Sequence, residues 1–188
     1  MKRPALLAAT AATAALVLAA CGTDDRPEKA ATGQTMNRTD ADFISEMNQL
    51  LNQATTMAGA ASERASDPQV RQLAASMNGR QSHQFDAVVA MMDDVEKSGV
   101  EMAHDHGASA DGIPGFLGDA ERDRMDALKG RPYDEAFLRL MIKHHEGAFT
   151  LIGTERAEGA FQPAKDLAAQ IESDFTQQNL QMRDLLNP

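Results

Sequence analysis

The sequence predicts an all-α fold, an antiparallel four-helix bundle assembled from two related helical hairpins. Three observations lead there. Of the 188 residues 43% are hydrophobic, yet aromatic residues reach only 4%, with no Trp, one Tyr, seven Phe and eleven Met. A core must therefore come from Ala, Leu, Val and Met, which suits packed helices better than a sandwich built on β-branched and aromatic residues. Four long segments carry helical periodicity between turn signals, and no run shows strand alternation. Finally, the second pair of segments lies on the first without a gap at a shift of 94 residues, the spacing of Phe43 and Phe137. Met47 then meets Met141, Ala54 meets Ala148, Gly59 meets Gly153, Leu73-Ala74-Ala75 meets Leu167-Ala168-Ala169, and Gln84 meets Gln178. Both inter-helix turns also coincide, Asp67-Pro68-Gln69 opposite Phe161-Gln162-Pro163. Such a register reads as a duplicated hairpin. Each hairpin leaves an apolar stripe exposed, and packing the two face to face buries both.

The elements follow in chain order. Met1-Lys2-Arg3, the Ala/Leu run from Ala5 to Ala20 and Leu18-Ala19-Ala20-Cys21 form a lipoprotein signal peptide over residues 1–20, with Cys21 the residue to be lipidated. Its removal takes the net charge from −10 to −12, because Lys2 and Arg3 leave with it. Residues 21–39 have no apolar period and read as a flexible tether. The bundle occupies 40–188. In hairpin one, 40–99, Asp40 or Asp42 caps a first helix to about Ala65, and Asp67-Pro68 opens a second that ends near Gly99. The crossover, 100–131, is Gly-rich and holds a short helix from Asp119 to Gly130. In hairpin two, 132–188, Pro132 or Asp134 starts a helix to Gly159, and Pro163 opens the last.

Composition and motifs exclude several functions. Eighteen Lys+Arg against 28 Asp+Glu argue against nucleic acid, whose phosphates call for a basic surface. One Cys rules out internal disulfides and Cys-based zinc sites. A di-iron bundle needs paired Glu-x-x-His motifs, and Glu101 to His104 has no mate. His145-Glu146 is followed by Gly147-Ala148-Phe149, so no zincin motif is present, and phosphate loops and nucleophile elbows are missing as well. The expectation is a protein that is not an enzyme.

The chemistry concentrates on the third long helix. Phe137, Met141, His144, Ala148 and Leu151 share a seam, and His144 and His145 fall on either side of Met141, within about 60° of it at 100° per residue. Their counterparts in the first hairpin are Leu50 and Leu51. Two imidazoles beside a thioether, where the sister hairpin uses Leu-Leu, carry a desolvation cost that a soft metal would explain, and His with Met suits copper. On the last helix Ile171, Phe175, Gln178, Met182 and Leu185 form the opposing seam, with Met182 a candidate ligand and Gln178 a partner that orients a ring by accepting its N–H. Met102, His104 and His106 in the crossover make a second, weaker candidate site. The competing reading is a His pair buried and satisfied by hydrogen bonds, with Met182 as core filler and the His-Asp-His run a solvated loop.

The run Tyr133-Asp134-Glu135-Ala136-Phe137-Leu138-Arg139-Leu140-Met141-Ile142-Lys143-His144-His145-Glu146-Gly147-Ala148 closely resembles the signature of the "domain of unknown function 305" family, an Asp, then Phe, then Met-Ile-x-His-His-x-x-Ala. The match is specific from about Met125 to Leu186. The first hairpin, with Leu50-Leu51, is more degenerate and is also similar to a neighbouring family of secreted, ferritin-like bacterial proteins. The resemblance implies a ferritin-like bundle exported to the cell envelope, with some relatives binding copper through Met and His and aiding copper tolerance. By position it implies Met141, His144, His145 and Met182 as ligands. The chain departs from the pattern at Phe175, where Gln is usual, and at Gln178, where Glu is usual, which weakens a hard-metal site more than a copper site. Two functions remain open: a lipid-anchored envelope protein that binds or sequesters copper, and a non-catalytic interaction module with a buried His pair.

Overall fold

Helix-starting and helix-stopping chemistry accounts for several boundaries in the structure, a computed structural model that describes residues 35–101 and 110–187. Cys21, Met102, His104 and His106 lie outside the described residues. Helix α1 spans Arg38–Arg64 and is opened by a capping box: Asn37 Oδ1 accepts from Asp40 N at 3.1 Å and Asp40 Oδ2 accepts from Asn37 N at 2.6 Å. Asn37, rather than Asp40 or Asp42, is thus the cap, and Asp40 is its reciprocal partner. Helix α2 spans Pro68–Ser98, with Asp67 accepting from Gln69 N at 2.7 Å and Gly99 ending it in the left-handed region at φ +66°. A 3₁₀ turn at Ala110–Gly112 precedes α3, Asp119–Asp126, which starts after Gly118 without a side-chain cap, so Asp119 lies inside the helix. Helix α4 runs Arg131–Glu158 and α5 Gln162–Leu186, each with proline in its first turn. The described residues contain helices and no strand.

The four long helices pack side by side as a helical bundle. Antiparallel packing of α1 on α4 is marked at both ends: Asn37 Nδ2 donates to Glu158 O at 2.8 Å, and Arg64 lies over the Tyr133 ring at 4.5 Å. On the other side α2 packs antiparallel to α5, where Asp174 accepts from Gln84 Nε2 at 2.8 Å and from Arg80 at 3.0 Å. The order around the bundle is α1, α2, α5, α4, and α1 meets α5 only across the diagonal.

Two buried aspartates pin the turns. Asp134 on α4 accepts from Ser66 N at 2.8 Å, Ser66 Oγ at 2.5 Å and Asp67 N at 2.9 Å, holding the α1–α2 turn. Asp40 on α1 accepts from Ala160 N and Phe161 N, both at 2.9 Å, holding the α4–α5 turn. Hydrogen bonds to an ionised acceptor contribute roughly 1.5–3 kcal/mol each. Each hairpin therefore clamps the loop of the other.

Apolar packing forms two clusters at successive heights. One contains Phe43, Met47, Leu50, Leu51, Val88, Ala148, Ile152, Ile171 and Phe175. The other contains Ala54, Met57, Met77, Phe137, Met141 and Met182. On α4 the buried stripe continues through Ile152 and Glu155, while Leu151 is only half-buried, because 3.6 residues per turn carry the seam past the expected position. Between the clusters every long helix contributes buried polar side chains: Gln53 from α1, Gln81 and Gln84 from α2, His144 and His145 from α4, Gln178 and Asn179 from α5.

The crossover is tied down at this same height. Gln53 accepts from Leu117 N and donates to Leu117 O, both at 2.9 Å. Beside it Gly115, at φ +89°, lies against α4 so closely that a Cβ on Gly147 would stand 2.1 Å from Gly115 N, and one on Gly115 2.4 Å from His144 O. Gly147→Ala is accordingly expected to destabilise by roughly 3 kcal/mol or more, through backbone displacement. Gly153→Ala, six residues along the same helix with open space around it, is expected to stabilise by roughly 0.5–1 kcal/mol. Thermal unfolding of the two variants checks both signs.

Candidate functional site

The candidate site is the polar layer, centred on two histidines with no exposed surface. Successive positions on a helix point about 100° apart, so adjacent imidazoles on α4 enter different parts of the interior. Their ring centroids lie 6.0 Å apart with planes inclined at 56°.

His144 points toward the crossover. Its Nδ1 donates to Gly115 O at 2.9 Å, a carbonyl that can only accept, so the neutral ring carries its lone pair on Nε2. That Nε2 is buried and has no hydrogen-bond partner. Burial pushes the His144 pKa down to about 4, outweighing the carbonyls of Gly115 and Leu50, which favour the charged ring.

His145 points toward α2 and α5. Its Nδ1 pairs with Asn179 Oδ1 at 2.9 Å and its Nε2 with Gln81 Nε2 at 3.2 Å. An amide nitrogen donates and an amide oxygen accepts, so Nδ1 carries the proton and Nε2 accepts. Phe175 stacks on the ring at 3.7 Å between centroids, with planes 12° apart. Burial lowers the His145 pKa well below its ordinary value, and repulsion from His144 lowers it further, against the Asn179 hydrogen bond. Both rings are neutral at pH 7.

Gln178, expected beside the His pair, reaches it through Gln81, whose Nε2 donates to Gln178 Oε1 at 3.5 Å. The direct partner from α5 is Asn179, one position on. Met141 and Met182, both without exposed surface, belong to the apolar cluster that borders the layer. The layer leaves Gln81 Oε1, Gln84 Oε1 and Gln178 Nε2 unpaired as well as His144 Nε2. No group of three or more His, Cys, Asp or Glu converges to hold a metal ion among the described residues.

Three partners escaped the sequence reading. Asn179 stands four residues after Phe175 and could have been read as part of the α5 seam. Gln81 stands three residues before Gln84, already matched to Gln178. The Gly115 carbonyl leaves no pattern, because it belongs to a loop backbone placed by tertiary packing.

The fold and this His pair define a small all-α module of the DUF305 class. The chain belongs to that family: the family model for "Domain of unknown function (DUF305)" matches residues 40–186. A DUF305 protein from Streptomyces coelicolor, assigned as secreted, is 26% identical with a TM-score of 0.69, over 79% of this chain and 91% of that one. A DUF305 fragment from Deinococcus radiodurans is 25% identical with a TM-score of 0.69, over 80% of this chain and 97% of the fragment. No curated protein matches the chain. Among the described residues no helix is long and apolar enough to cross a membrane.

The neutral His pair couples folding to pH. An unfolded chain binds protons on these rings below about pH 6.5, whereas folded His144 does so only near pH 4. Stability present above pH 6.5 is therefore lost as pH falls toward 4, by up to roughly 3 kcal/mol for His144 alone. Denaturant unfolding between these pH values is expected to give a shallower slope for His144→Leu than for the natural sequence, whatever the variant's absolute stability.

Proposed function

We propose that the protein is a lipid-anchored module of the bacterial cell envelope that binds or sequesters a soft metal ion, copper(I) foremost, and has no catalytic role. The observation that carries this reading is His144 Nε2, a neutral imidazole lone pair buried without a donor to meet it. A buried polar atom left unpaired is costly, and an ion held there would remove the cost. Met141 is one helical turn before the pair, at i−3 from His144 and i−4 from His145, where side chains on a helix are neighbours. Met182 borders the same layer from α5. An imidazole with thioethers favours cuprous copper over hard cations. His145 would join this set by exchanging its Gln81 hydrogen bond for the metal, with Asn179 keeping its Nδ1 proton in place. Met102, His104 and His106 remain a second, weaker candidate site for the same ion.

Envelope location is supported by the Streptomyces relative, assigned as secreted, and by the lipoprotein-type pattern of residues 1–21, with membrane attachment through lipid on Cys21. A ferritin-like, duplicated hairpin is supported by the clamping aspartates: Asp40 and Asp134 are 94 positions apart, and so are the turns that they hold, Ser66-Asp67 and Ala160-Phe161. Reciprocal contacts of this kind are what a two-fold relation between copies produces.

A second reading rests on His145, whose two ring nitrogens are both satisfied. On that reading the layer is structural and the acidic bundle docks a partner. Copper(I) titration of the mature, tag-free protein against a competing chelator separates the two. Stoichiometric binding that His144→Leu/His145→Leu loses is expected; equal uptake by the double variant would sink the site. For the anchor, Cys21→Ser is expected to move the protein from the membrane to the soluble fraction, and unchanged partitioning would count against lipidation.

A further inference from the structure

The two ends of the bundle differ in one chemical respect. Asp134 receives a hydroxyl proton from Ser66 in addition to two backbone N–H groups. The matching residue at the other end is Ala160, which has no hydroxyl, so Asp40 lacks that donor. The missing group is replaced from α4. Glu155 stands at the position matching Ala61 and has no exposed surface. Its carboxyl folds back into the α4–α5 turn, where Oε1 would lie 2.4 Å from a Cβ placed on Gly159. Neither Glu155 oxygen meets an N–H or hydroxyl donor among the described residues, and the group within hydrogen-bond reach is the Asp40 carboxyl. Two carboxylates in contact without a donor between them repel, and a single shared proton turns the contact into a hydrogen bond.

We propose that Asp40 and Glu155 form a proton-binding site, in which a protonated Glu155 donates to the Asp40 carboxylate and thereby latches the α4–α5 turn onto the start of α1. The proton comes from solvent and replaces the Ser66 hydroxyl of the opposite end. The charged groups that Glu155 meets are Asp40 from α1 and Lys165 from α5, whose Nζ donates to Gly159 O at 3.0 Å. Burial first, then the hydrogen bond to Asp40 and its charge, raise the Glu155 pKa to about 8, against a lowering by Lys165. A folded-state pKa above the unfolded value means that the folded chain keeps a proton which the unfolded chain releases above about pH 4.5. The contribution of the latch is therefore complete below pH 4.5 and is lost as pH rises toward 8, opposite in sign to that of the His pair.

Hydrogen exchange at the Ala160 and Phe161 amides, corrected for the intrinsic base-catalysed rate, tests the site in the intact protein. Protection in the natural sequence is expected to fall by up to about tenfold per pH unit from roughly pH 6 to 8. Glu155→Gln, whose amide still donates to Asp40, should give a flat profile. Glu155→Ala/Ala160→Ser transplants the arrangement of the Asp134 end and should be flat too, so the test survives if Glu155→Gln folds poorly. A flat profile in the natural sequence, or a Glu155→Gln profile as steep as the natural one, would overturn the proposal. Calcium or magnesium raising protection at fixed alkaline pH in place of the proton would overturn it in favour of a cation site.

Discussion

Everything in this bundle is arranged around a buried polar layer at mid-height. Polar groups in an apolar interior are costly without partners, so the hydrogen bonds of Gln53, Gln81, His144, His145, Gln178 and Asn179 constrain which helix faces which and at what height. A slip of α5 by one turn would take Asn179 from His145 and Phe175 from its ring face. The apolar clusters on either side, rich in Ala, Met and Leu, would tolerate such a slip far better. Burial thus supplies the driving force for collapse, and the layer selects one register from those that collapse alone would allow.

The crossover belongs to the same constraint. A Gly-rich segment has little tendency of its own to adopt one course. It is held here by Gln53, which satisfies both backbone groups of Leu117, and by the His144 ring, which donates to Gly115. Gly115 and Gly147 let the two backbones approach closely enough for that contact. The loop in turn sets the tautomer of His144 and leaves the Nε2 lone pair inward. Loop and ring therefore share a cause: the hydrogen bond that anchors the loop also leaves the buried Nε2 of the ring unpaired.

At the ends of the bundle, the clamping aspartates convert two hairpins into one unit, since each turn is held by a residue of the other hairpin. The two ends differ in chemistry. One uses a serine hydroxyl and the other a second carboxyl, that of Glu155. The histidines lose stability toward acid and Glu155 toward alkali, so their contributions to the pH dependence of folding oppose one another.

The amino-acid sequence by itself determined the helical class, the turn positions and the crowding of His and Met on one helix, because these depend on composition and on the local periods of the chain. The run from Tyr133 to Ala148 was sufficient for the family. Tertiary structure alone decided how the two rings of the His pair are partnered. That His145 is satisfied by Gln81 and Asn179 whereas His144 keeps one nitrogen unpaired depends on two other helices and a loop carbonyl, and no spacing within α4 encodes it. Asp40 was legible as an N-terminal acidic residue, but its grip on the α4–α5 turn and its contact with Glu155 were not. Residues more than a hundred positions apart meet only when packing brings them together, and periodicity describes one helix at a time.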